Sequence, residues 1–282
     1  MKVKVTCPDV LQPLEIIFQP EYEAANMEWV NVLGCPITKL DLEGFATRIE
    51  DFIRSGRPHY IAVVNAAKLV KMRTDKDLEQ SVLAADLIGA DGVPVVWVSR
   101  LIGNPLPGRV NGTDLMYELL KRANEKRYRI FFFGATNDVL QRVLKVVRQD
   151  YPGAQIAGSQ HGYYTPAEEP KVVKKIRKAR PDILFIAFGT PKKELWVKQY
   201  LSSMEVPLVH GVGGSFDVLA GVIPRAPLWM QRNGLEWLFR LLQEPRRMWS
   251  RYLVTNTMFV MLVLWQWLRY QAGLPKPKIE QG

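Results

Sequence analysis

The sequence predicts an α/β fold in which a parallel β-sheet is covered by helices on both faces. Six short apolar runs recur along the chain, and they lack the alternation of apolar and polar residues that marks a half-exposed sheet. Stretches with helical periodicity separate these runs, an order typical of parallel sheets. With 282 residues, of which 48% are hydrophobic, the chain is long enough to bury such a core.

The six apolar runs define the predicted strands in chain order. They lie at Tyr60–Val64, Asp86–Ala90, Arg129–Phe133, Gln155–Ser159, Asp182–Phe188 and Pro207–Val212. Helical patterns follow them, for example at Asp138–Arg148 and from Lys192 onward. Right-handed crossovers would place the carboxyl ends of all these strands on one edge of the sheet, where ligands bind in folds of this kind.

Polar residues and glycines follow these runs at the expected binding edge. They are Asn65, Asp91, Gly134, Gly189 and Gly213. A glycine at a strand end is usually explained by the turn that follows it. No turn strictly requires Asn65 or Asp91, so these two are candidate functional residues.

The charge of the chain indicates an anionic partner. The chain has 38 Lys and Arg against 28 Asp and Glu, a net charge of +10 that suits nucleic acid, phosphate-rich ligands or a membrane surface. Nucleic acid is disfavoured because the basic excess lies in Lys171–Arg180 and near the C-terminus, without the signature of a nucleic-acid-binding module. The two cysteines, Cys7 and Cys35, cannot form a disulfide framework or a four-ligand zinc site.

The composition changes after about Ile223, where seven arginines and five of the eight tryptophans follow. Helical periodicity predicts a helix at Leu235–Gln243 and a second from Pro245 to about Tyr270. Arginine and tryptophan on amphipathic helices favour an anionic lipid surface. The alternative is a helical pair packed on the core with a solvated arginine face. The apolar run Met258–Leu268 has 11 residues, whereas a membrane-spanning helix needs about 20.

One strand–glycine–helix junction could bind phosphate. The segment His210–Asp217 places Gly213, Gly214 and Ser215 after the last predicted strand. Glycine lets the backbone approach a phosphate, and a helix N-terminus presents free N–H groups. The segment lacks the G-x-G-x-x-G order of dinucleotide sites, which disfavours a dehydrogenase.

The string Asp75-Lys76-Asp77 imitates the D-x-D pattern that holds a divalent metal in many sugar-transferring enzymes. Its position predicts a helix start instead, with Thr74 as the N-cap and Asp77 reaching back as in a capping box. The three histidines are too far apart in the sequence to indicate metal ligation. The sequence therefore predicts no metal site and no cofactor.

Six motifs occur in order along the chain. They are Val64–Lys68 (VNAAK), Ala90–Val93 (ADGV), Leu106–Leu115 (LPGRVNGTDL), Gly189–Trp196 (GTPKKELW), Gly211–Asp217 (GVGGSFD) and Gly234–Arg240 (GLEWLFR). Each motif alone is weak, but as an ordered set they resemble the WecG/TagA/CpsF glycosyltransferases, which form glycosyltransferase family 26. The resemblance covers about Val30 to Arg251.

The resemblance implies a Rossmann-like core at 30–224, preceded by an N-terminal extension at 1–29. A basic membrane-associating appendage would follow at 225–271 and a disordered tail at 272–282. The implied reaction moves a sugar from a UDP-sugar to a polyprenyl-diphosphate-linked sugar, with inversion and without a metal, in the synthesis of a cell-surface polysaccharide or teichoic-acid-type polymer. The enzyme would be a peripheral protein on the cytoplasmic face of the cell membrane, with the anionic membrane surface as a partner and a homo-oligomer left open.

By the resemblance, Asp91 is the candidate general base, because inversion by direct displacement needs one carboxylate beside the acceptor hydroxyl. Asn65 and Arg109 match active-site positions of the family, and Arg109 would balance the charge of a phosphate or sugar. The appendage arginines are expected to reach a diphosphate. The candidate substrate-binding residues are Lys193, Gly189, Gly213, Gly214, Ser215, Asp217, Arg240, Arg247 and Arg251.

Two positions depart from the family pattern. The family often has glutamine where this chain has Lys193, and some members have threonine where it has Val63. An ammonium group makes different contacts from an amide, so N-acetylmannosamine, its uronic acid and glucose all stay open as the transferred sugar. A non-catalytic protein that binds a nucleotide sugar or lipid diphosphate is the alternative, and Asp91 argues against it because binding alone needs no base.

Overall fold

The structure, a computed structural model, describes residues 16–18, 27–243, 245–272 and 279–281. The strands are β1 (Ile16–Phe18), β2 (Trp29–Val32), β3 (Cys35–Thr38), β4 (His59–Val64), β5 (Leu87–Ala90), β6 (Arg129–Gly134), β7 (Gln155–Gln160), β8 (Ile183–Ala187), β9 (Leu208–Gly211) and β10 (Ile279–Gln281). The helices are α1 (Leu42–Ser55), α2 (Ala66–Met72), α3 (Lys76–Leu83), α4 (Val93–Leu101), α5 (Gly112–Lys126), α6 (Asn137–Asp150), α7 (Glu169–Ala179), α8 (Lys192–Met204), α9 (Ser215–Leu219), α10 (Leu228–Arg232), α11 (Glu236–Gln243) and α12 (Pro245–Gln271).

The central sheet has six strands in the order β5-β4-β9-β8-β6-β7, and every neighbouring pair is parallel. Each of the six predicted strands is present, so the predicted parallel sheet is confirmed. In the register of β4 and β5, Val64 lies opposite Ala90. Asn65 and Asp91 follow these two residues, so they leave the sheet side by side at its carboxyl edge.

Helices cover both faces of this sheet, as the sequence predicts. Successive residues of β6 point to opposite faces: Phe131 and Phe133 belong to one hydrophobic core, and Ile130 and Phe132 belong to the other. The first core packs under α2, α3, α4, α7, α8 and α12, and the second packs under α1, α5, α6 and α9. The continuous apolar sequence of the strands follows from burial on both faces.

The long helix α12 is fixed to the core through a β-hairpin formed by β2 and β3. The side chain of Gln266 accepts a hydrogen bond from the backbone N–H of Leu33 at 3.0 Å and donates one to the carbonyl oxygen of Asn31 at 3.1 Å. Phe259 and Leu262, on the same side of α12, are buried in the first core. One face of the appendage therefore packs on the core.

The opposite side of α12 carries exposed apolar side chains, including Met261, Leu264 and Leu268. These residues follow the spacing of one helical face. Among the described residues, no helix combines the length and hydropathy that crossing a bilayer requires. The helix thus has a packed face and an exposed apolar face, and its membrane role stays a prediction.

The D-x-D string lies at a helix start, as expected, but its N-cap is Asp75 rather than the predicted Thr74. The Asp75 carboxylate accepts a hydrogen bond from the backbone N–H of Leu78 at 3.0 Å. Asp77 lies in the first turn of α3, where a negative charge interacts favourably with the helix dipole. This carboxylate pair therefore stabilises a helix end, and the N-cap prediction was wrong by one residue because aspartate is a better N-cap than threonine.

Most of the predicted N-terminal extension and tail lies outside the described residues. Within them, Ile16–Phe18 and Ile279–Gln281 pair as two short parallel strands.

Candidate active site

A cleft lies between the carboxyl ends of β4 and β5 and the helices of the appendage. Its cavity volume is about 690 Å³, within the size range of small-molecule sites. Its polar lining includes Asn65, Asp91 and Arg109, so the structure brings the three predicted catalytic residues into one site. Its apolar lining comes mainly from α4, α11 and α12.

Asp91 reaches the cleft because the backbone turns sharply after β5. The Asp91 N–H donates to the carbonyl oxygen of Val64 at 2.8 Å and so extends the strand pairing by one residue. Gly92 then adopts φ = 128°, a conformation that residues with a Cβ rarely adopt. Helix α4 begins directly afterwards, which leaves the Asp91 carboxylate half-buried at the edge of the sheet.

The side chain of Asn111 orients this carboxylate. Its Nδ2 donates to Oδ1 of Asp91 at 2.8 Å. Its Oδ1 caps α5 by accepting from the backbone N–H groups of Thr113 and Asp114 at 2.9 and 3.2 Å. Because the cap fixes which end of the amide is the acceptor, the amide presents a donor to Asp91. Asn111 lies within the Leu106–Leu115 motif, but no local sequence pattern predicts this role for it.

Asn65 is the N-cap of α2, and its Oδ1 accepts from the backbone N–H of Lys68 at 3.0 Å. The cap uses the oxygen of the side chain, so a ligand in the cleft would meet Asn65 through its Nδ2 donors. The residue therefore has a structural role as well as a position in the site.

Arg109 belongs to a network of four charges that joins the core to the appendage. Its Nη1 donates to Oε2 of Glu236 on α11 at 2.5 Å, and its Nη2 lies 3.6 Å from Oδ2 of Asp114 on α5. Arg225 also contacts Asp114 and lies 3.8 Å from Oε1 of Glu236. Arg109, Arg225 and Glu236 all line the cleft. Glu236 lies in the Gly234–Arg240 motif but is not among the residues predicted from the sequence to form the site.

Lys193 does not line the cleft. It lies in a buried cluster beside the sheet edge, where Glu194 is fully buried and its Oε1 lies 2.7 Å from Nζ of Lys68 and 3.0 Å from Nζ of Lys193. Lys193 also donates to the hydroxyl of Thr190 at 2.7 Å. Lys68 donates to the carbonyl oxygen of Val63 at 2.7 Å, which ties the cluster to the end of β4.

The surroundings in this cluster shift the pKa values of Lys193 and Glu194. Burial, with the nearby ammonium group of Lys68, lowers the pKa of Lys193 to about 8. Burial alone would raise the pKa of Glu194, but the ammonium groups of Lys68 and Lys193 outweigh it and lower that pKa. Lys193 therefore has a buried carboxylate as its partner in this structure, and its contact with substrate stays a prediction.

The glycine-rich segment lies at the same sheet edge, outside the lining of the cleft. Gly213 has φ = 57° and begins the turn after β9. The hydroxyl of Ser215 is buried and hydrogen-bonded to the Thr113 hydroxyl at 2.8 Å and to the Val212 carbonyl oxygen at 2.7 Å. Burial raises the pKa of Asp217. Ser215 thus serves internal contacts, and a phosphate-binding role for this segment stays a prediction.

The other predicted ligand-binding residues are differently placed. Gly189 and Gly214 are exposed at the ends of β8 and β9. The backbones of Arg240, Arg247 and Arg251 lie in α11 and α12, but their side chains lie outside the described part of the structure. In the described residues, no three His, Cys, Asp or Glu side chains form a group that could hold a metal ion.

Comparison with known proteins identifies the class to which this fold and site belong. The sequence model of the glycosyl transferase WecG/TagA/CpsF family matches residues 30–273. The chain belongs to this family and is a glycosyltransferase.

Three relatives share one name, N-acetylglucosaminyldiphosphoundecaprenol N-acetyl-β-D-mannosaminyltransferase. The protein of Bacillus spizizenii strain W23 is 37% identical over 77% of this chain and 86% of its own length. That of Bacillus subtilis strain 168 is 34% identical over 89% of this chain and 97% of its own length. That of Staphylococcus aureus strain MW2 is 31% identical over 80% and 89%.

Proposed function

We propose that this protein transfers N-acetylmannosamine from its UDP-sugar to N-acetylglucosamine linked to a polyprenyl diphosphate, with inversion, in the synthesis of a cell-surface polymer. The names of the relatives support the sugar and the lipid-linked acceptor. The observation that carries the reaction is the Asp91 carboxylate, held by Asn111 in a cleft that it shares with Asn65 and Arg109.

In this proposal Asp91 is the general base. It accepts the proton of the acceptor hydroxyl while that oxygen forms a bond to the anomeric carbon of the donor sugar. The bond from that carbon to the phosphate oxygen breaks, and UDP leaves with the electron pair on the opposite face of the sugar. Asn111 is a positioning residue, because its hydrogen bond holds the carboxylate in one orientation.

The charges in the cleft suit substrates that carry diphosphates. Arg109 and Arg225 line the cavity, and one guanidinium group can donate two parallel hydrogen bonds to a phosphate. In the structure these groups contact the carboxylates of Asp114 and Glu236. A diphosphate entering the cleft would compete with these carboxylates for the arginines.

The proposed location is the cytoplasmic face of the cell membrane, without a spanning segment. The exposed apolar face of α12, with Met261 and Leu264, would enter the lipid interface. The run Met258–Leu268 therefore divides between two roles, since Leu262 packs in the core while Met261 is exposed. Paired Met261→Asp and Leu264→Asp changes should weaken binding to anionic liposomes.

Acceptor-dependent release of UDP tests the proposal. The protein would be incubated with UDP-linked N-acetylmannosamine, its uronic acid and glucose, each with and without a short water-soluble acceptor that carries diphosphate-linked N-acetylglucosamine. We expect release only with the first donor and only with acceptor, and we expect it to persist in EDTA. Binding of donor and acceptor without turnover would instead support the alternative of a non-catalytic binding protein.

A further inference from the structure

The lining of the cleft combines charged and apolar side chains. Its charged residues are Asp91, Arg109, Arg225 and Glu236. Its apolar residues come largely from two helices: α4 contributes Trp97 and Leu101, and α12 contributes Phe259, Val260 and Val263. A ligand that binds the two arginines and also covers this apolar lining must join an anionic group to a hydrocarbon chain.

Apolar side chains at the rim of this cleft face water. Trp97 is 57% exposed and Val260 is 64% exposed. Large exposed apolar residues that gather around a concave site mark a binding surface. The rim also continues onto the exposed face of α12, because Met261 and Leu264 follow Val260 around the helix. The groove therefore leads from the carboxylate of Asp91 to the apolar outer surface of the appendage.

We propose that the groove between α4 and α12 binds the first isoprene units of the acceptor lipid and so places its diphosphate against Arg109 and Arg225. This inference rests on the proposed function, because it takes the acceptor to be a polyprenyl diphosphate. The occupant follows from the combination of charges and surfaces: two arginines for the diphosphate, an apolar channel for the chain, and an exit onto the surface proposed to meet the membrane. The cleft would then select acceptors by their lipid as well as by their sugar.

Binding of two soluble probes tests the groove without requiring turnover. Geranyl diphosphate carries a ten-carbon isoprenoid chain, and methyl diphosphate carries the same charged group without it. Calorimetry on the full chain, without detergent or lipid, should give a dissociation constant at least about tenfold lower for geranyl diphosphate, since each buried methylene contributes about 0.8 kcal/mol. Equal dissociation constants for the two probes would overturn the inference.

The test also has matched variants. Trp97→Ala and Val260→Ser should each bring the two dissociation constants closer together, by roughly threefold to tenfold. Met261→Ser is the control, because Met261 is 62% exposed, similar to Val260, but lies outside the cleft lining. It should keep the preference for the geranyl probe. If all three variants bound the probes like the unchanged protein, the chain would lie elsewhere and the groove would not be its site.

Two further measurements separate the possible failures. Absence of acceptor-dependent UDP release would overturn the proposed function, whereas release combined with no preference for the isoprenoid probe would overturn the groove alone. Sedimentation of the unchanged protein and of Val260→Ser tests a second copy as the occupant. A dimer that dissociates in this variant would replace the lipid by a neighbouring subunit and would also overturn the inference.

Discussion

Two carboxylates near the same edge of the sheet, Asp91 and Glu194, lie in opposite environments. Glu194 is fully buried and contacts the ammonium groups of Lys68 and Lys193 at 2.7 and 3.0 Å. Asp91 is half-buried at the cleft, where it accepts a hydrogen bond from the neutral amide of Asn111. Both side chains are carboxylates, but their surroundings differ, and so do the roles that we propose for them.

The surroundings of a carboxylate decide whether it can take part in catalysis. The two ammonium groups lower the pKa of Glu194 despite its burial, and its fully buried side chain offers no exposed surface to a substrate. Its role is to hold α2, α8 and the end of β4 together. Asp91 combines access with a fixed orientation, which is what a general base requires.

The largest expected effect comes from Asp91→Asn. This change keeps the size of the side chain and removes its ability to accept a proton, so transfer should fall by roughly 10²- to 10⁴-fold. Initial rates of acceptor-dependent UDP release measure this loss. The melting temperature should stay close to that of the unchanged protein.

A rate within threefold of the unchanged protein would remove Asp91 from the role of base. A large fall in melting temperature would mean that the lost activity reports unfolding instead. Asn111→Ala gives a second measurement, because a positioning role predicts a lower kcat in this variant. Asn111→Gln or Asn111→Ser should restore activity only if the new side chain again donates a hydrogen bond to Asp91.

Glu194→Gln should act on stability instead. It leaves two buried ammonium groups without a counter-charge, and breaking a buried ion pair in this way costs roughly 3–5 kcal/mol. Urea unfolding of the unchanged protein and the variant measures this difference in the free energy of unfolding.

Glu79→Gln is a suitable control for that experiment. Glu79 is also buried, but its ion-pair partner Lys76, at 2.9 Å, is exposed. The nearby Arg73 is only half-buried, so both cations keep more solvent than Lys68 and Lys193 when the carboxylate is lost. The control should therefore cost much less. Equal losses in the two variants would mean that burial of a carboxylate, rather than the two trapped cations, sets the stability.

The sequence predicts the sheet and the positions of Asn65 and Asp91 because both depend on local order. In a parallel sheet the residue after each strand must lie at one edge, and the pairing of Val64 with Ala90 then brings these two together. No contact between distant segments needs to be known. The family resemblance, rather than this rule, predicts Arg109, which lines the same cleft.

The contacts of Lys193 and Glu236 depend on segments that are distant in the sequence, so no local pattern predicts them. Lys193 follows strand β8 in the sequence, but its side chain crosses Gly211, where an added Cβ would lie 2.9 Å from Cδ of Lys193. This close passage turns the ammonium group toward Glu194. Glu236 lies 127 residues from Arg109, so the pairing of their charges follows from the docking of the appendage and not from any local pattern.

A smaller effect is expected where the appendage meets the core. Glu236→Gln removes the charge that Arg109 contacts at 2.5 Å, and we expect a loss of about 1 kcal/mol in the free energy of unfolding. Glu205→Gln is the matched control, because its partner Arg177 and Glu205 itself are exposed. It should change stability by less than about 0.5 kcal/mol. A loss no greater in Glu236→Gln than in the control would show that the ion pair does not hold α11 to the core.

The effect of Lys193→Gln on stability is expected to depend on pH. Burial lowers the pKa of Lys193 to about 8 in the folded protein, from an ordinary value of 10.5. Below pH 8 the side chain is charged in both states, so folding carries the full cost of burying the charge. As the pH rises from about 8 toward 10.5, the folded protein loses this proton before the unfolded chain does, and the cost is relieved.

Replacing Lys193 by glutamine removes that cost at every pH, while Lys68 continues to pair with Glu194. The variant should therefore gain stability relative to the unchanged protein most clearly at pH 6–7, and the gain should shrink between pH 8 and 10. Urea unfolding of both proteins at each pH measures the difference directly. Lys192→Gln removes an exposed charge from the same turn and separates the effect of burial from the loss of a lysine. A gain in stability that grew with rising pH would instead mean that Lys193 stabilises the fold as a cation. Glu194 would then need both ammonium groups, which would widen its contrast with Asp91.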